Sequence, residues 1–482
     1  MSKREQVTLD PKKLEEQEQY IEQIHRINEN LFNKNGIRKS YILHTIGCQM
    51  NEHDSEMLIS YLESMGYVRA MSEEESDIVI YNTCAVRENA ELKVYGNLGH
   101  LKHLKQSKPD LKIVVCGCMM QQEHVVEEIK TKYKHVDLIF GTHNLYKFPE
   151  LLASTFDREQ ILVDVWDVDG EVVEGMRSNR KYSIKAFVNI MYGCNNFCTY
   201  CIVPYTRGRE RSRRPQDIIN EIKELVQNGT KEVTLLGQNV DSYGKTLNEE
   251  DKIDFAGLLR LVNEIDGLER IRFMTSHPKD ISDEVIYAIR DCEKVCEFLH
   301  LPCQCGSTEL LKKMNRHYTK EDYLRIIEKA KKEVKDIAFS TDIMIGFPGE
   351  TDADVEDTID VCEKVRYDSA FTFIYSKRRG TPAAKMTNQI PEDVKHERFN
   401  KVLDVVNRIS NEISMGYKDK VVEVLVEGKS KKSDSVYTGK TRQNKTVNFT
   451  GGDDSMIGKL VDVLITDPKS FSLNGELVKV IR

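Results

Sequence analysis

Short β-rich runs alternate with helical patterns along the middle of this 482-residue chain. Helical stretches such as PQDIINEIKELVQNG and TDADVEDTIDVCEKV separate the runs, and the second begins with acidic residues suited to a helix N-terminus. Regular alternation of strand and helix is typical of a parallel sheet covered by helices. The repeats predict an open, partial (β/α)6 barrel. The runs are KAFVNIMYGC, EVTLLGQN, IRFMTSHP, CEFLHLPCQ, AFSTDIMIGFPGE and AFTFIYS.

Two further regions flank this barrel. Upstream, YILHTIGC, DIVIYNTC and IVVCGC are each followed by a helical pattern, which predicts βα units of a second parallel sheet. From about Gly416, VVEVLVEG, SVYTGKT, KTVNFTG, KLVDVLIT and ELVKVI predict a small closed β-barrel of the oligonucleotide-binding (OB) sort. The chain is therefore predicted to be α/β. Its parts are a helical extension (1–37), a parallel α/β domain (38–160), an acidic connector around 163–175, the partial barrel (176–412) and the β-barrel (415–482).

Composition predicts a cytoplasmic protein that does not enter a membrane. No apolar run approaches the roughly 18 to 20 residues of a membrane span. The start, MSKREQVTLDPKKLEEQEQ, lacks the apolar core of a secretory signal. The formal net charge of −8 excludes a protein that coats nucleic acid through its overall field, although local basic patches are compatible with it.

Cys194, Cys198 and Cys201 form the most specific motif, C-x3-C-x2-C, directly after the first predicted barrel strand. The chain's 12 cysteines are too sparse for a disulfide scaffold, so clustered thiols indicate metal or redox chemistry. Three thiolates can ligate three irons of a 4Fe-4S cluster and leave the fourth open to an external ligand. A structural zinc site is the alternative, but it needs four ligands and no neighbouring Cys or His completes the set.

Cys48, Cys84 and Cys118 follow the three predicted strands of the N-terminal domain, each about one βαβ unit apart. Parallel strands bring their C-terminal ends to one edge of a sheet, where ligands bind in open α/β folds. The pattern therefore predicts a second three-thiolate cluster, with buried core cysteines as the alternative. Cys116 competes with Cys118, but Gly117-Cys118 repeats the Gly47-Cys48 arrangement and Cys116 still lies within the apolar run.

The first triad, its place after a barrel strand and Tyr200 before its last cysteine together resemble the radical S-adenosylmethionine (SAM) superfamily. The resemblance implies that the open iron chelates SAM and that an electron from the cluster splits its sulfonium to give a 5′-deoxyadenosyl radical. Active sites of such barrels lie at the C-terminal strand edge, where residues supply candidate SAM contacts, with turns or helix caps as the alternative role. The candidates are Tyr200, Gln238, Ser276, His277, Gly346 and Glu350.

With both triads present, the chain from about Arg38 onward resembles the radical SAM methylthiotransferases. The segments HTIGCQMNEHDSE, NTCAVRENAE, LLGQNVDSYG and RFMTSHP are similar to the MiaB type, which acts on N6-isopentenyladenosine at tRNA position 37. The resemblance implies two 4Fe-4S clusters and two SAM molecules per turnover. One SAM donates its methyl group to a sulfur held at the N-terminal cluster, and the other yields the radical that activates C2 of the adenine. The implied catalytic residues and cluster ligands are Cys48, Cys84, Cys118, Cys194, Cys198 and Cys201.

Two basic segments predict contacts to the tRNA anticodon stem-loop. YTRGRERSRRP carries five arginines against one glutamate, and guanidinium groups can bind phosphates in bidentate fashion, although pairing with acidic neighbours is the alternative. The C-terminal barrel resembles the RNA-binding TRAM domain and has a lysine-rich segment of its own. The predicted RNA-binding residues are Arg207, Arg209, Arg211, Arg213, Arg214, Lys431, Lys432, Arg442 and Lys445.

Other functions remain open at the level of sequence. The same chemistry could act on threonylcarbamoyl-adenosine in tRNA or on a ribosomal protein, and a non-catalytic iron-sulfur RNA-binding redox sensor would keep both triads without SAM turnover. An external electron donor such as flavodoxin or ferredoxin and a monomeric state are expected. HLPCQCGS departs from the family's usual HLPxQSGS, and Cys303 and Cys305 are interpreted as small core residues on one face of a strand.

Overall fold

The computed structural model describes residues 9–85, 88–166, 184–431 and 433–482. The predicted boundary at residue 176, most of the predicted acidic connector and Lys432 lie outside the described residues. Within the described ranges, no helix combines the length and the apolar character needed to cross a membrane.

Helices and strands alternate through most of the described chain. The helices are α1 Pro11–Asn35, α2 Gln49–Ser64, α3 Glu88–Ser107, α4 Glu123–Lys132, α5 Phe148–Ala153, α6 Val203–Thr206, α7 Pro215–Gln227, α8 Phe255–Asn263, α9 Asp283–Asp291, α10 Thr308–Lys313, α11 Lys320–Glu333, α12 Asp352–Val365 and α13 Glu392–Met415. The strands are β1 Ser40–Ile46, β2 Val68–Arg69, β3 Ile78–Thr83, β4 Lys112–Gly117, β5 Leu138–Phe140, β6 Leu162–Asp164, β7 Lys185–Asn189, β8 Met191–Tyr192, β9 Arg211–Ser212, β10 Glu232–Leu236, β11 Arg270–Met274, β12 Phe298–His300, β13 Ala338–Ile345, β14 Ser369–Ile374, β15 Val421–Ser430, β16 Ser433–Lys440, β17 Thr446–Thr450, β18 Leu460–Pro468 and β19 Leu473–Val480.

The described residues form two compact units. The first contains the chain up to Trp166 together with Met191–Asn195 and Cys201–Arg213. The second contains 184–190, Asn196–Tyr200 and everything from Arg214 onward, so it includes both the central barrel and the C-terminal barrel.

A parallel sheet of order β2-β1-β3-β4-β5-β6 forms the centre of the first unit. Apolar clusters cover both of its faces, and Ile21 and Ile24 of α1 belong to one of them. The three predicted βα units are present as β1, β3 and β4. The predicted connector is wrong at its start, because residues 162–164 form β6. This edge strand is only partly buried, so its acidic sequence shows no core pattern.

The second unit contains the predicted partial (β/α)6 barrel. Parallel sheets β11-β10-β7 and β12-β13-β14 supply its six strands, and a bridge between Ile271 and Val295 joins them. Alternate strand residues face opposite sides, and the helix-covered side includes the fully buried Val233, Ile271 and Ile343. The five C-terminal strands form the predicted closed barrel, and the structure shows their order as β15-β16-β17-β19-β18. Arg270, at the start of β11, donates to Lys440 O and pairs with Glu423 of this barrel.

Candidate active site

The ends of β1, β3 and β4 bring Cys48, Cys84 and Cys118 to one edge of the first unit's sheet. In the parallel register Ile46 lies beside Thr83, and Thr83 lies beside Gly117, so the three cysteines follow the strands at the same level. The side chain of Cys84 hydrogen-bonds to Cys48 and lowers the pKa of the Cys48 thiol to about 6. The predicted convergence of three distant thiols therefore exists in the geometry.

Buried asparagines hold the loops that carry these cysteines. Asn51 Oδ1 accepts from the Cys48 backbone N–H at 3.3 Å and its Sγ at 3.4 Å, while Asn51 Nδ2 donates to Asn82 Oδ1 at 3.1 Å. Gly117 has φ +97°, and a Cβ there would lie 2.4 Å from Asn82 Oδ1 and 2.5 Å from Thr83 O. Any larger residue would push the Cys118 loop away from β3, which explains the glycine before that cysteine.

The structure distinguishes Cys116 from Cys118. Burial raises the pKa of both thiols, well above the ordinary value for Cys116 and to about 11 for Cys118, but Cys116 lies inside β4 with no exposed surface. Cys118 begins the turn after Gly117, and its Sγ accepts a hydrogen bond from Arg207 Nε at 3.0 Å. The geometry favours Cys118 as the third ligand.

Arg207 does not fit its predicted role as a phosphate contact. Only 6% of the residue is exposed, and its Nη2 lies 2.7 Å from the buried carboxylate of Asp54. A guanidinium already paired in the interior is not accessible to a nucleic-acid backbone. Arg213 is also buried, whereas Arg209 and Arg214 are exposed and Arg211 is intermediate.

The three thiols are a soft donor set of the kind that binds iron-sulfur clusters. In the described part of the chain, no group of three or more His, Cys, Asp or Glu side chains is placed to hold a single metal ion. The close backbone approach at Gly117 and the cationic partner of Cys118 are compatible with thiolate ligands of a cluster.

Cys198 lies in the second unit, on a loop held by the segment after α10. Asn315 Nδ2 donates to the carbonyl oxygens of Asn196 at 3.1 Å and Phe197 at 3.0 Å, and the Thr199 N–H donates to Met314 O. Arg316 Nη1 lies 3.5 Å from Cys198 Sγ. Sequence reasoning missed this segment, because the residues from Met314 to Tyr318 do not contain cysteine, histidine or acidic residues spaced in a way that indicates a cofactor site.

Cys194 and Cys201 belong to the first unit. The Cys194 N–H donates to Gly208 O at 3.1 Å, and the neighbouring Gly193 has φ +75°. A Cβ on Gly193 would lie 2.0 Å from Arg209 O, so this close approach of two backbone segments requires glycine.

Ser276 and His277, two of the predicted SAM contacts, share one buried carboxylate. Asp241 accepts from the His277 N–H at 2.8 Å and from Ser276 Oγ at 3.3 Å. Burial and then the charge of Arg316 lower the pKa of His277, so its ring stays neutral. Its Nδ1 accepts from the Lys279 N–H, which places the ring proton on Nε2. That Nε2 is buried without a hydrogen-bond partner and is therefore a donor available to a ligand.

Gly346 and Glu350 bond to one another. Both carboxylate oxygens of Glu350 accept from the Gly346 N–H, at 3.0 and 2.9 Å, and Arg398 Nη1 donates to the same carboxylate. These groups hold the loop after β13 and do not present an unused donor to SAM. Of the other predicted contacts, Gln238 is half-buried just after β10, and Tyr200 OH lies 3.4 Å from Arg316 Nη1.

The uncovered side of β13 and β14 presents aromatic rings on the inner wall of the partial barrel. Phe371 is 53% exposed and Phe373 is 44% exposed, and they pair with Asp342 and Met344 of β13. The ring of His300 packs edge-on against Phe371 at 6.1 Å between centroids. Exposed rings beside a polar group are typical of a surface that binds a flat, partly apolar ligand.

Arg442 and Lys445 of the C-terminal barrel do not project as free cations. Arg442 forms two bonds to Glu297, at 2.6 and 2.8 Å, and Lys445 Nζ lies 3.3 Å from Asp368. Their prediction as RNA contacts does not agree with these partners, because both charges attach the C-terminal barrel to the central one. Lys431 is exposed.

Cys303 and Cys305 do not lie on one face of a strand, as the sequence suggested. They follow β12 in a loop in which Gln304 has φ +64°, and this left-handed residue breaks the strand alternation. Both thiols are buried, and each forms a weak bond to a carbonyl oxygen, at 3.7 Å and 3.6 Å. Burial agrees with their interpretation as small core residues.

Three family models match this chain. Residues 188–362 match the radical SAM superfamily, residues 40–141 match the uncharacterized protein family UPF0004, and residues 417–478 match the TRAM domain.

Curated relatives match the chain over nearly its whole length. The tRNA-2-methylthio-N(6)-dimethylallyladenosine synthase of Clostridioides difficile (strain 630) is 75% identical over 99% of this chain and 100% of its own. The synthase of the same name from Alkaliphilus oremlandii (strain OhILAs) is 60% identical over 99% and 100%.

Among solved structures, the radical S-adenosylmethionine methyltransferase TsrM from Kitasatospora setae, with cobalamin and a 4Fe-4S cluster bound, has a TM-score of 0.51. It is 14% identical and covers 72% of this chain and 77% of its own, so this likeness shows the fold alone.

Proposed function

Because the chain belongs to the tRNA-2-methylthio-N(6)-dimethylallyladenosine synthase family of radical SAM enzymes, we propose that it adds a methylthio group to C2 of N6-isopentenyladenosine at tRNA position 37. The observation that carries the proposal is the convergence of Cys48, Cys84 and Cys118 at one sheet edge. A radical SAM enzyme that only cleaves SAM needs no second set of thiols. A redox sensor needs neither the barrel nor the His277 loop.

The family implies 4Fe-4S clusters and SAM as cofactors. When bound, they supply an electron, a carbon-centred radical and the transferred sulfur, which an adenine C–H bond requires because no side-chain base removes its proton at neutral pH. We assign one cluster to Cys194, Cys198 and Cys201 and the other to Cys48, Cys84 and Cys118.

The chain's own residues position these groups. Arg316 fixes the Cys198 thiol through an N–H bond, and Asn315 fixes the backbone that precedes it. His277 supplies a neutral ring whose Nε2–H has no partner in the protein and suits the carboxylate of SAM. Asp241 orients the loop that carries Ser276 and His277 by accepting from the His277 backbone N–H and the Ser276 hydroxyl.

The substrate base has to leave its stack before a radical can reach it. Unstacking costs a few kcal/mol and least in a single-stranded loop, so an anticodon loop suits the reaction. Phe371 and Phe373 offer the flipped base and its alkyl tail two ring faces on the inner wall of the barrel. Among the basic residues, the exposed Arg209 and Lys431 support the RNA contact. Arg214 is exposed but its Nε lies 3.2 Å from Asp251 Oδ2, and Arg207 is buried.

The reaction consumes an electron that the chain cannot generate, so an external one-electron donor of the flavodoxin or ferredoxin type belongs to the proposal. We also infer a cytoplasmic enzyme from its tRNA substrate. The monomeric state stays a prediction, which light scattering of the purified protein tests.

The deciding experiment is anaerobic reconstitution with iron, sulfide, SAM and a reductant, followed by mass analysis of nucleosides. Isopentenylated tRNA is the substrate, and the same tRNA with unmodified adenosine is the matched control. We expect the 2-methylthio nucleoside only from the first. Threonylcarbamoyl-adenosine tRNA and small-subunit ribosomal protein serve as competing substrates, and product from either of them alone would contradict the proposal.

A further inference from the structure

Arg207 contacts two buried groups of the first unit at once. Its Nε donates to Cys118 Sγ at 3.0 Å and its Nη2 donates to Asp54 Oδ2 at 2.7 Å. The three residues are 6%, 5% and 5% exposed, and Arg207 comes only six positions after Cys201 in the chain. A full positive charge is therefore fixed beside the sulfur of one proposed cluster ligand.

Taking a guanidinium out of water costs several kcal/mol, which is offset only where charged partners and good geometry compensate. Here one carboxylate and one sulfur are the partners, and Asp54 lies on α2, the helix that begins directly after Cys48. The planar guanidinium of arginine donates hydrogen bonds to two partners at fixed angles, which a lysine ammonium cannot do. Asp54 therefore fixes the orientation of the Arg207 guanidinium, and the guanidinium in turn fixes the position of the Cys118 sulfur.

We propose that Arg207 is a positioning residue of the N-terminal cluster, which fixes the Cys118 sulfur and raises the reduction potential of the cluster that this sulfur binds. The inference rests on the proposed assignment of Cys48, Cys84 and Cys118 as cluster ligands. Hydrogen bonds to the ligand sulfurs and net charge are among the factors that set such potentials. Reduction adds one negative charge to the cluster, and a fixed cation 3.0 Å from a ligand sulfur favours that more negative state.

The test uses the full-length protein in which Cys194, Cys198 and Cys201 are all replaced by Ala, so that only the N-terminal cluster can form. Into this background we place Arg207→Met, Arg207→Lys and Asp54→Asn, with Arg158→Met, an exposed arginine of the same unit, as the matched control. The measurements are iron content, melting temperature and the midpoint potential from dye-mediated reduction monitored by electron paramagnetic resonance.

We expect Arg207→Met to have the lowest potential and Arg207→Lys to lie between it and the parent. Asp54→Asn should lie at or above the parent, because it removes a negative charge and leaves the guanidinium uncompensated, and Arg158→Met should equal the parent. Loss of iron from Arg207→Met at an unchanged melting temperature also supports positioning. Equal iron and equal potential in Arg207→Met overturn the inference. A lowered melting temperature combined with an unchanged potential in Arg207→Lys assigns the arginine to folding alone and overturns it too. A parent background that binds no iron refutes the ligand assignment instead.

Discussion

Arg316 Nη1 lies 3.5 Å from Cys198 Sγ, and the same side chain donates to Pro302 O from Nη2 at 3.0 Å. One buried guanidinium thus ties a cysteine of the C-x3-C-x2-C motif to the loop after β12. Arg316 is the charged residue among the described contacts of the Cys198 thiol. Nothing in the C-x3-C-x2-C motif predicted this contact.

Replacing Arg316 with Met is expected to slow SAM cleavage about ten- to a hundredfold. A hydrogen bond to a charged group contributes about 1.5–3 kcal/mol, and each 1.4 kcal/mol corresponds to about tenfold in rate. Formation of 5′-deoxyadenosine without tRNA is the measurement. Arg325→Met, at a side chain 75% exposed, is the matched control and keeps the parent rate. An unchanged rate in Arg316→Met would show that the contact is dispensable.

The two cysteine triads are expected to separate two activities. Cys198→Ala abolishes 5′-deoxyadenosine, because the cluster that reduces SAM is lost. Cys84→Ala still forms 5′-deoxyadenosine but transfers no methylthio group, and Cys116→Ala, in the core of the same sheet, keeps both activities. Chromatography of the nucleoside products measures each step. Methylthiolated product from Cys84→Ala would end the two-cluster scheme.

His277→Phe is expected to weaken SAM binding about tenfold while lowering the melting temperature of the SAM-free protein by only a few degrees. The ligand loses a bond of about 1–1.5 kcal/mol to Nε2–H, which has no partner in the protein, whereas folding loses only the bond that Nδ1 accepts from the Lys279 N–H. Equilibrium dialysis of SAM and thermal melts measure the two quantities. A large fall in melting temperature with unchanged SAM affinity would make His277 a structural residue.

Asp241 predicts a pH dependence of stability. Burial raises the pKa of this carboxyl from its ordinary 3.8 to about 7. Because the folded state holds the proton more tightly than the unfolded state, its stabilising contribution is complete below about pH 4 and is lost as the pH rises through about 7. The melting temperature of the parent relative to Asp241→Asn should therefore fall between about pH 4 and pH 7 and level off above about pH 8. A difference that does not vary with pH contradicts this assignment.

Arg442→Ala combined with Lys445→Ala is expected to lower the melting temperature by several degrees without changing the salt dependence of tRNA binding. Both residues pair with carboxylates of the central barrel, and removing one partner of a partly buried pair leaves the other uncompensated. Lys431→Ala is the comparison variant. It should leave the melting temperature unchanged and flatten the slope of log affinity against log salt by about 0.7. The opposite pattern would restore Arg442 and Lys445 as RNA contacts.

The strands and the thiol-bearing edges were predictable because their signals are local. A parallel strand shows its period within a few residues, and parallel connections bring successive strand ends to one edge, so Cys48, Cys84 and Cys118 could be grouped from the linear order alone. The closed C-terminal barrel was predictable for the same reason. β6 was not predicted, because a short edge strand has too few buried residues for its sequence pattern to differ from that of a connector.

Charge was the least reliable guide. The five arginines after Cys201 look alike in sequence, yet Arg207 is buried against Asp54, which lies 153 positions away, and Arg209 is exposed. Arg316 and Cys198 are 118 positions apart. The amino-acid sequence by itself determined the strands of the two barrels, the sheet edge that carries Cys48, Cys84 and Cys118, and the family. Only the tertiary structure decided which cations face solvent and which face sulfur, because that depends on pairing between segments whose separation along the chain exceeds any local period.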